Sequence, residues 1–568
     1  MTSPARGLAA SAVFALAGCA SAPQPDAVVL SVLGVNDTHG EMAGLVAMSG
    51  YVEALRSARR DNGAVVLLDA GDMWQGTLES NLAEGAPVVE AYNAMRFDAA
   101  AIGNHEFDFG PEGSAMVPES PVDDPRGALK ARATEAQFPL LAANLIDTKT
   151  EAPVDWPNVR TSILVERAGV KVGIVGVTTA DTLETTIRGN TYGLAIAPLA
   201  ATIEREARTL RGAGADLVIA VAHAGGHCEA FEDPFDLTSC DRDEEIFRVA
   251  RALPRGLVDQ IIAGHTHAGV AHVVNGIAIT ESLANARAFG RVDYRIDSRS
   301  GAVLERRIFP PQRVCRQDRA PCEGGDAAVD GRYADHPLQT VPVVTQIADR
   351  AYAAAETVKR RLLGVTLSTA ITRQAGPASA LGRLMTDAVR EATGADVAIH
   401  NVVGGIRADL PAGPLTYGDV FRAFPFDNRV AVLELSGREL RTLLAPQITN
   451  VKRRAGLSGL QVHVACAAQF EASIELRRSD GSIVDDEDRL SVAANDYLLF
   501  GGDRIFAPIT PPDGFDIDLG QPRVRDVWAD WFSARGGTLS AADFEGAGAQ
   551  RWFIADDALT GCEAPTST

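Results

Sequence analysis

Short runs of apolar, β-branched residues alternate with helical segments from residue 27 to about residue 300, and this alternation restricts the fold more than any other feature. Continuous apolar runs of this length are typical of strands that are buried on both faces of a sheet. The segments 79–95 and 200–212 between the runs predict helices. Together they predict an α/β domain built in layers. The predicted strands are 28–35, 64–68, 99–102, 139–142, 170–177, 217–222 and 258–262.

Polar side chains follow five of these runs at the point where each predicted strand ends. In open α/β sheets, ligands bind beyond the carboxyl ends of the strands. The polar residues at these ends are therefore expected to share one rim of the domain. The candidate side chains at this rim are Asp37, His39, Asp72, Asn104, His223, His265 and His267.

These side chains offer carboxylate oxygens, one amide oxygen and imidazole nitrogens, a mixture that favours Mn, Zn, Co or Fe over Ca alone. Seven ligands exceed the needs of one ordinary site and fit two ions about 3.5–4 Å apart that share a ligand. Asp72 is the natural bridge, because a carboxylate can contact both ions. An isolated Asp-x-His or His-x-His pair usually binds no metal, so the prediction depends on the recurrence of such motifs at consecutive strand ends.

The alternation stops between about residues 300 and 340, in a stretch rich in Pro, Gly and Cys that indicates loops. The segment 347–362, with Ala, Glu, Lys and Arg throughout, then predicts a helix between domains. A helix at 380–393 and strands at 396–399, 431–435, 461–464 and 473–477 predict a second domain. The predicted boundaries are 27–335 for the first domain, 336–362 for the linker with its helix, and 363–568 for the second domain.

The motifs at the strand ends are NDTHG (36–40), GDMWQGT (71–77), GNHEFD (103–108) and GHTH (264–267). They resemble those of the calcineurin-like metallophosphoesterases, and more narrowly the 5′-nucleotidase branch, which includes periplasmic UDP-sugar hydrolases. The resemblance implies an α/β fold, in which a layered αββα domain precedes a smaller α/β (α+β) substrate-binding domain. It also implies one ion held by Asp37, His39, Asp72 and His267, and another held by Asp72, Asn104, His223 and His265. The ions are divalent, with Mn, Zn, Co and Mg as the candidates.

His105 adjoins the candidate ligand Asn104 and is therefore expected to face the same site. In the resembled family this histidine contacts a phosphate oxygen and assists the leaving group, which makes His105 a candidate catalytic residue. Asp108 follows three residues later and either orients the imidazole, a familiar acid–base arrangement, or caps the following turn.

Motifs beyond residue 400 resemble the C-terminal domain of the same nucleotidases: GGIR (404–407), PLTYGDV (414–420), FPF (424–426), NDY (495–497) and GGD (501–503). The resemblance implies that the rings of Phe426 and Tyr497 clamp a nucleobase, unless they are ordinary core aromatics. It further implies that Asp503 binds the ribose hydroxyls and that Arg407 meets phosphate or ribose.

Two positions depart from the family pattern. Val402 stands where the family has Asn, and Asn401 lies one place early. Pro377 stands where the family has an arginine, so Arg373 or Arg383 is the candidate replacement. These departures affect the expected contacts with sugar and phosphate and leave the metal chemistry unchanged.

The predicted function is metal-dependent hydrolysis of the phosphomonoester of 5′-nucleotides by attack of metal-bound hydroxide. The alternatives on the same scaffold are a 2′,3′-cyclic-nucleotide phosphodiesterase/3′-nucleotidase and a UDP-sugar pyrophosphohydrolase. A surface lipoprotein that binds nucleotides without turnover is the alternative from another class. The net charge of −21 excludes a protein that grips nucleic-acid polymers, which requires a basic surface. The resemblance implies a small nucleotide as the partner.

The first residues predict export. A charged residue, an apolar stretch at 8–17 and the tetrapeptide Leu16-Ala17-Gly18-Cys19 describe a secretory signal that ends in a bacterial lipobox. We predict a signal peptide over 1–18, lipidation of Cys19 and a tether over 19–26; a plain signal peptide with an incidental cysteine is the alternative. The expected location is the periplasmic face of the outer membrane or the cell surface.

The remaining six cysteines form an even set, as expected for disulfides in an oxidising compartment. Sequence proximity favours Cys228–Cys240 and Cys315–Cys322 as pairs, which leaves Cys466–Cys562. A metal cluster is the alternative, although the chain contains no Cys-x-x-Cys motif.

Overall fold

The structure is a computed structural model that describes residues 27–113, 117–118, 120–315, 327–328, 330–373, 379–448, 454–466, 472–511, 514–515, 517, 521–545 and 550–555. The predictions for residues 1–26, including Cys19, and those for Cys322, Pro377 and Cys562 lie outside these residues. No helix in the described part of the chain combines the length and the apolar character that crossing a membrane requires.

Two β-sheets form the centre of the first domain. The first sheet has the strand order Val303–Arg313, Ala288–Asp297, Ala27–Val35, Gly63–Asp69, Ala99–Ala101, Leu140–Leu141 and Val159–Arg160, and its last five strands are parallel. The second sheet has the order Gly269–Val274, Ile277–Ser282, Gln260–Ala263, Leu217–His223, Val170–Thr178 and Ser162–Arg167, and its central four strands are parallel.

The two sheets pack face to face through apolar side chains. Leu30 and Val32 of the first sheet share one buried cluster with Ile219 and Val221 of the second. Helices cover the outer faces, so the layers are helix, sheet, sheet and helix, which confirms the predicted αββα arrangement. The helices on the first sheet are Met42–Arg59, Ala86–Met95 and Gly127–Glu135, and those on the second are Leu199–Gly212 and Glu245–Ala252.

The predicted helix over 79–95 is divided into Leu78–Asn81 and Ala86–Met95. The backbone between them turns through the left-handed region at Glu84 and Gly85, with φ of 48° and 86°. A Cβ at Gly85 would lie 2.4 Å from the Cβ of Trp74, so the buried tryptophan requires glycine at this break. The division matters for the site because it moves Leu78–Asn81 towards the second domain, whose core includes Leu78.

The helix predicted over 347–362 spans Pro342–Lys359. Proline is well suited to the first turn of a helix, where its missing N–H is not needed. The helix packs against Met42–Arg59 and Ala86–Met95 of the first domain and against Tyr417–Ala423 of the second. It therefore contacts both domains.

The second domain has an α/β fold with three small sheets. Their strand orders are Gly413–Thr416, Leu362–Leu367 and Gly537–Leu539; Val430–Ser436, Arg489–Asn495, Val397–His400 and Gly456–Ser458; and Ala472–Arg478, Leu460–Cys466 and Trp552–Ile554. The larger helices are Ala380–Thr393, Tyr417–Ala423, Gly437–Leu444 and Val524–Arg535. A capping box between Thr416 and Asp419 fixes the start of Tyr417–Ala423, and the loop that follows this helix carries Phe426.

Candidate active site

The strand ends of both sheets bring the predicted metal ligands together. Six of the seven predicted ligands form two groups, and within each group the potential ligand atoms lie within 4.8 Å of one another. The first group is Asp37, His39 and His267; the second is Asp72, His223 and His265. Each group combines residues that are far apart in sequence, as expected when the carboxyl ends of several strands share one rim.

The first group directs lone pairs at one point. Nδ1 of His39 donates to the carbonyl oxygen of Gln75 at 2.8 Å, which leaves the lone pair on Nε2. Burial lowers the pKa of His39 to about 3, so its ring is neutral. Its Nε2 lies 3.0 Å from Nε2 of His267. Oδ1 of Asp37 lies 3.4 Å from Nε2 of His267 and forms no hydrogen bond with the described residues.

The second group is arranged in the same way. Nδ1 of His223 donates to the carbonyl oxygen of Ala70 at 2.9 Å. Its Nε2 therefore faces two acceptors, Oδ1 of Asn104 at 2.9 Å and Oδ2 of Asp72 at 3.2 Å. Although burial lowers it, the Asp72 carboxylate raises the pKa of His223 to about 10, so this point strongly favours positive charge. Nδ1 of His265 lies 3.1 Å from the same oxygen of Asn104.

These residues fit divalent cations. In the first group the buried, unbonded Oδ1 of Asp37 and the lone pair of His39 converge unfavourably, and a cation at that point satisfies them. In the second group the oxygens of Asn104 and Asp72 surround Nε2 of His223, and a cation can take the place of its proton. The hydrogen bonds from Nδ1 of His39 and of His223 to backbone carbonyl oxygens are of the kind that orients metal-binding imidazoles. Asp72 belongs to the second group, and its charge also acts on His39 in the first.

The backbone at most of these residues is strained. Positive φ values are rare for residues other than glycine and cluster at functional sites. In this chain they occur at five of the seven predicted ligands: Asp37 (50°), His39 (49°), Asp72 (57°), His265 (81°) and His267 (59°). The folded chain therefore imposes the positions of these side chains.

Glu106 supports this geometry, although sequence reasoning gave it no role. Its buried carboxylate accepts backbone N–H bonds from Asp72 and Met73, both at 2.8 Å, and from Gly103 at 2.6 Å. It therefore joins the loop that carries Asp72 to the loop that carries Asn104. Its position inside the GNHEFD motif was the signal that could have identified it.

His105 and Asp108 form a pair at the edge of the metal groups. Nδ1 of His105 donates to Oδ2 of Asp108 at 2.6 Å, and the Thr186 hydroxyl donates to Oδ1 at 3.2 Å. Asp108 therefore faces the imidazole. Burial opposes it, but Asp108 and Asp72 raise the pKa of His105 to about 9. The His105 ring lies 5.4 Å from that of His39 and 6.1 Å from that of Phe426.

A cavity of about 290 Å³ extends from His105 to the second domain. Its lining includes both rings predicted to clamp a base, together with the predicted polar contacts: Phe426, Tyr497, Asp503 and Arg407. The Arg407 guanidinium lies 5.1 Å from the centroid of the Phe426 ring. Tyr497 donates from its hydroxyl to Oδ1 of Asp503 at 3.2 Å.

Arg383 is not brought to this cavity, which corrects the sequence prediction for it. Its side chain is buried and Nε donates to the carbonyl oxygen of Phe544 at 2.5 Å. The alternative, Arg373, lines a larger adjoining cavity of about 1360 Å³ that also reaches His39, His105 and His267.

The departure at Val402 is explained by the structure. Val402 is buried in the core of the second domain. Asn401 lines the cavity and donates to Oδ2 of Asp503 at 2.7 Å. Asn401, which lies one place before the position that the family pattern gives to asparagine, therefore contacts Asp503, the residue predicted to bind the ribose.

The two domains meet around the site. Gln75 in the loop after Asp72 donates to the carbonyl oxygen of Pro425 at 2.9 Å. Across the cavity, Nε of Arg504 lies 2.8 Å from Oε2 of Glu184. Arg504 adjoins Asp503 and Glu184 adjoins Thr185, and both neighbours line the cavity.

The predicted disulfide Cys228–Cys240 is present. Cys315 and Cys466 are also disulfide-bonded. The partners predicted for them, Cys322 and Cys562, lie outside the described residues.

Comparison with known proteins supports the two-domain organisation. Residues 30–269 match the calcineurin-like phosphoesterase family, and residues 355–509 match the 5′-nucleotidase C-terminal domain. The chain is 24% identical over 537 residues to the protein UshA of Yersinia enterocolitica, with 89% of this chain and 91% of that protein covered. It is 27% identical over 513 residues to the trifunctional nucleotide phosphoesterase protein YfkN of Bacillus subtilis, with 84% of this chain but only 32% of that protein covered. The fold is similar to that of a 5′-nucleotidase precursor from Thermus thermophilus, with a TM-score of 0.68 at 21% identity over 93% of this chain and 99% of the other.

Proposed function

We propose, from the premise that this chain belongs to the calcineurin-like phosphoesterases with a 5′-nucleotidase C-terminal domain, that it releases phosphate from 5′-nucleotides. Membership makes the chain a metal-dependent phosphoester hydrolase; the nucleotide substrate is the proposal. One observation carries it. A single cavity joins the His105 imidazole, beside the candidate metal ligands, to Phe426, Tyr497 and Asp503 of the second domain.

In this proposal two divalent ions occupy the two ligand groups, with Asp72 as the shared ligand. One ion would be held by Asp72 together with Asp37, His39 and His267. The other would be held by Asp72 together with Asn104, His223 and His265. When bound, such ions activate water and neutralise the negative charge of the phosphoryl group.

His105 acts on the phosphate from the side of the second domain. Its Nδ1–H is held by Asp108 at 2.6 Å, so its Nε2 is the atom available to the substrate. A proton on Nε2 stabilises the charge that develops on the departing oxygen and is transferred to it as the bond breaks. Asp108 fixes the orientation of the ring, and the Thr186 hydroxyl, 3.2 Å away, fixes Asp108.

The second domain binds the nucleoside. Aromatic rings stack on any base, because every base has a π face. Phe426 and Tyr497 supply these rings, and Asp503, held by Asn401 and Tyr497, accepts hydrogen bonds from the ribose hydroxyls. Arg407 lies against the Phe426 ring in the same cavity and supplies positive charge to the phosphate.

A nucleotide-sugar pyrophosphohydrolase is the second candidate. The cavity of about 1360 Å³ that reaches His39 and His267 also contains the cations Arg373 and Arg407. This space would accommodate a group linked through a second phosphate. A 2′,3′-cyclic phosphodiesterase remains an alternative on the same scaffold.

We also propose that the protein is exported and lipid-anchored through Cys19, on the basis of the LAGC tetrapeptide. Cys19→Ser should release the protein from the membrane fraction of the producing cell. Retention of this variant in the membrane would contradict the anchor.

Turnover of AMP, ADP, UDP-glucose, NAD and 2′,3′-cyclic AMP, measured with added Mn²⁺ and with a chelator, tests the function. We expect phosphate release from AMP that the chelator abolishes. Faster formation of UMP and glucose 1-phosphate from UDP-glucose than of phosphate from AMP would favour the second candidate. Binding of AMP without turnover of any substrate would indicate a nucleotide-binding protein.

A further inference from the structure

A buried glutamate outside every motif of the sequence lies behind the loop that carries two candidate metal ligands. Glu281 is fully buried in the strand Ile277–Ser282. This strand pairs on one side with Gln260–Ala263 and on the other with Gly269–Val274. These are the two strands that enter and leave the His265–His267 loop, so Glu281 lies beneath that loop.

The carboxylate of Glu281 joins two loops. Oε1 accepts a hydrogen bond from the Thr266 hydroxyl at 2.6 Å, and Thr266 lies between His265 and His267. Oε2 accepts the backbone N–H of Gly226 at 3.0 Å, three residues after the strand end at His223. One side chain therefore connects the backbone regions that present all three of these histidines.

The contact between the loops is close. A Cβ at Gly225 would lie 2.4 Å from both the Gly264 carbonyl oxygen and the Thr266 hydroxyl oxygen. The Thr266 hydroxyl also lies 3.0 Å from the Gly226 carbonyl oxygen. There is consequently little freedom for one loop to shift against the other while these bonds persist.

The backbone at the candidate ligands needs such a restraint. His265 and His267, on either side of Thr266, have φ values of 81° and 59°. A residue other than glycine is strained in this region and keeps the conformation only when its surroundings impose it. The bond from Thr266 to a buried carboxylate lies between the two strained residues.

We propose that Glu281 is a positioning residue that acts through Thr266 and Gly226 to hold His265 and His267 in metal-binding geometry. The inference rests on the proposed function, because it assumes that both histidines bind ions. His267 belongs to the first ligand group and His265 to the second, so loss of the restraint weakens the binding of both ions. Both oxygens of Glu281 accept; in Glu281→Gln the amide N–H would either oppose the Gly226 N–H, so that two donors face each other, or reverse the bond to the Thr266 hydroxyl, which would then donate only to the Gly226 carbonyl oxygen.

The test measures Mn²⁺ binding to the full chain by isothermal titration calorimetry. Thr266→Val removes the hydroxyl at an exposed position, whereas Thr266→Ser keeps it, and the melting temperature of each variant reports whether the fold is retained. Glu281→Gln tests the carboxylate directly. Ser162→Ala removes a hydroxyl-to-carboxylate bond of similar length, 2.8 Å to Glu206, at the far edge of the same sheet and serves as the matched control.

We expect Thr266→Val and Glu281→Gln to weaken Mn²⁺ binding about 10-fold to 100-fold, as is usual for groups that orient metal ligands. Thr266→Ser and Ser162→Ala should bind as the unmodified chain does. Saturating Mn²⁺ should restore kcat for AMP in Thr266→Val, which a general loss of structure would not allow.

Unchanged Mn²⁺ affinity in both Thr266→Val and Glu281→Gln, with an active unmodified chain, would overturn the inference alone. A loss of kcat that saturating Mn²⁺ does not restore would also overturn it. An unmodified chain that neither binds Mn²⁺ nor hydrolyses any phosphoester would overturn the proposed function, and the inference with it.

Discussion

Phe426→Ala combined with Tyr497→Ala is expected to weaken nucleotide binding strongly while hydrolysis of p-nitrophenyl phosphate changes little. Stacking of one base on an aromatic ring is worth about 1–3 kcal/mol, so two rings contribute about 2–6 kcal/mol. At about 1.4 kcal/mol for each factor of ten, the dissociation constant for AMP should rise about 30-fold to 2 × 10⁴-fold. p-Nitrophenyl phosphate mainly needs the ions and His105, so it reports on the chemistry without the base.

The surroundings of the two rings determine the controls. Phe426 contacts the Arg407 guanidinium at 5.1 Å and the His105 ring at 6.1 Å, so its removal also withdraws a cation–π contact worth about 0.5–2 kcal/mol. Tyr497→Phe keeps the ring and removes only the hydroxyl bond to Asp503. It should therefore cost about 0.5–1.5 kcal/mol, the net value of a hydrogen bond, and preserve most of the affinity.

The assay compares kcat/KM for AMP and for p-nitrophenyl phosphate at the same Mn²⁺ concentration, together with the melting temperature of each variant. A selective loss with AMP supports a base clamp. Equal losses with both substrates would refute the reasoning, because Phe426 also packs against the core of the second domain and the rings would then serve the fold.

Four further predictions address the ligands, the acid, the domain contact and the effect of pH. Asp72→Ala should lose bound metal, measured by plasma emission spectroscopy, and all turnover, because it removes the shared ligand; retained metal would contradict this. His105→Ala should keep both ions while kcat falls about 10²-fold to 10⁴-fold, the usual contribution of a general acid; metal loss would make it a ligand instead. Arg504→Gln breaks the ion pair with Glu184, which is exposed on both sides. Exposed ion pairs contribute little because solvent screens them, so KM for AMP should stay close to that of the unmodified chain. Burial lowers the pKa of His400 to about 4, so below pH 6.5 the unfolded chain binds a proton that the folded chain does not. The free energy of unfolding should therefore fall by about 2–3 kcal/mol between pH 7 and pH 4.5 through this group. Over that range the melting temperature of His400→Gln should fall less than that of the unmodified chain.

The convergence of the candidate metal ligands was predictable because the pattern that reveals it is local. Each follows an apolar run, and the carboxyl ends of parallel strands must share a rim whatever the order of the strands. The sequence therefore located Asp37 and His267 in one region although they lie 230 positions apart by number.

The predictions that were wrong depend on contacts between residues that are distant in the sequence. Arg383 lies on a predicted helix, but the direction of its guanidinium is decided by the carbonyl of Phe544, which comes from the far end of the chain. The division of the helix over 79–95 is set by the packing of Trp74 on Gly85. Both depend on tertiary packing and could not be read from periodicity.

Buried carboxylates behind the ligands were missed for a different reason. Asp69, Glu106 and Glu281 lie at most 1% exposed, yet acidic residues at strand ends and in turns usually face solvent. The signal in each case was an acidic residue in or directly beside an otherwise apolar strand or ligand motif. Such residues are costly to bury, so their position is itself a reason to look for a role.

These three carboxylates share one geometry, and it explains how the strained ligands are held. Asp69 accepts the backbone N–H of Gly71 at 2.6 Å, Glu106 accepts those of the Asp72 and Asn104 loops, and Glu281 accepts that of Gly226. Burial raises the pKa of each carboxyl group, so each one costs stability in isolation. The backbone hydrogen bonds of Glu106 and Glu281 connect separate loops into one frame, and that of Asp69 fixes the turn before Asp72. The ligand geometry is therefore fixed by the chain behind the ligands, which is the arrangement that a site must have to bind its ions without reorganising.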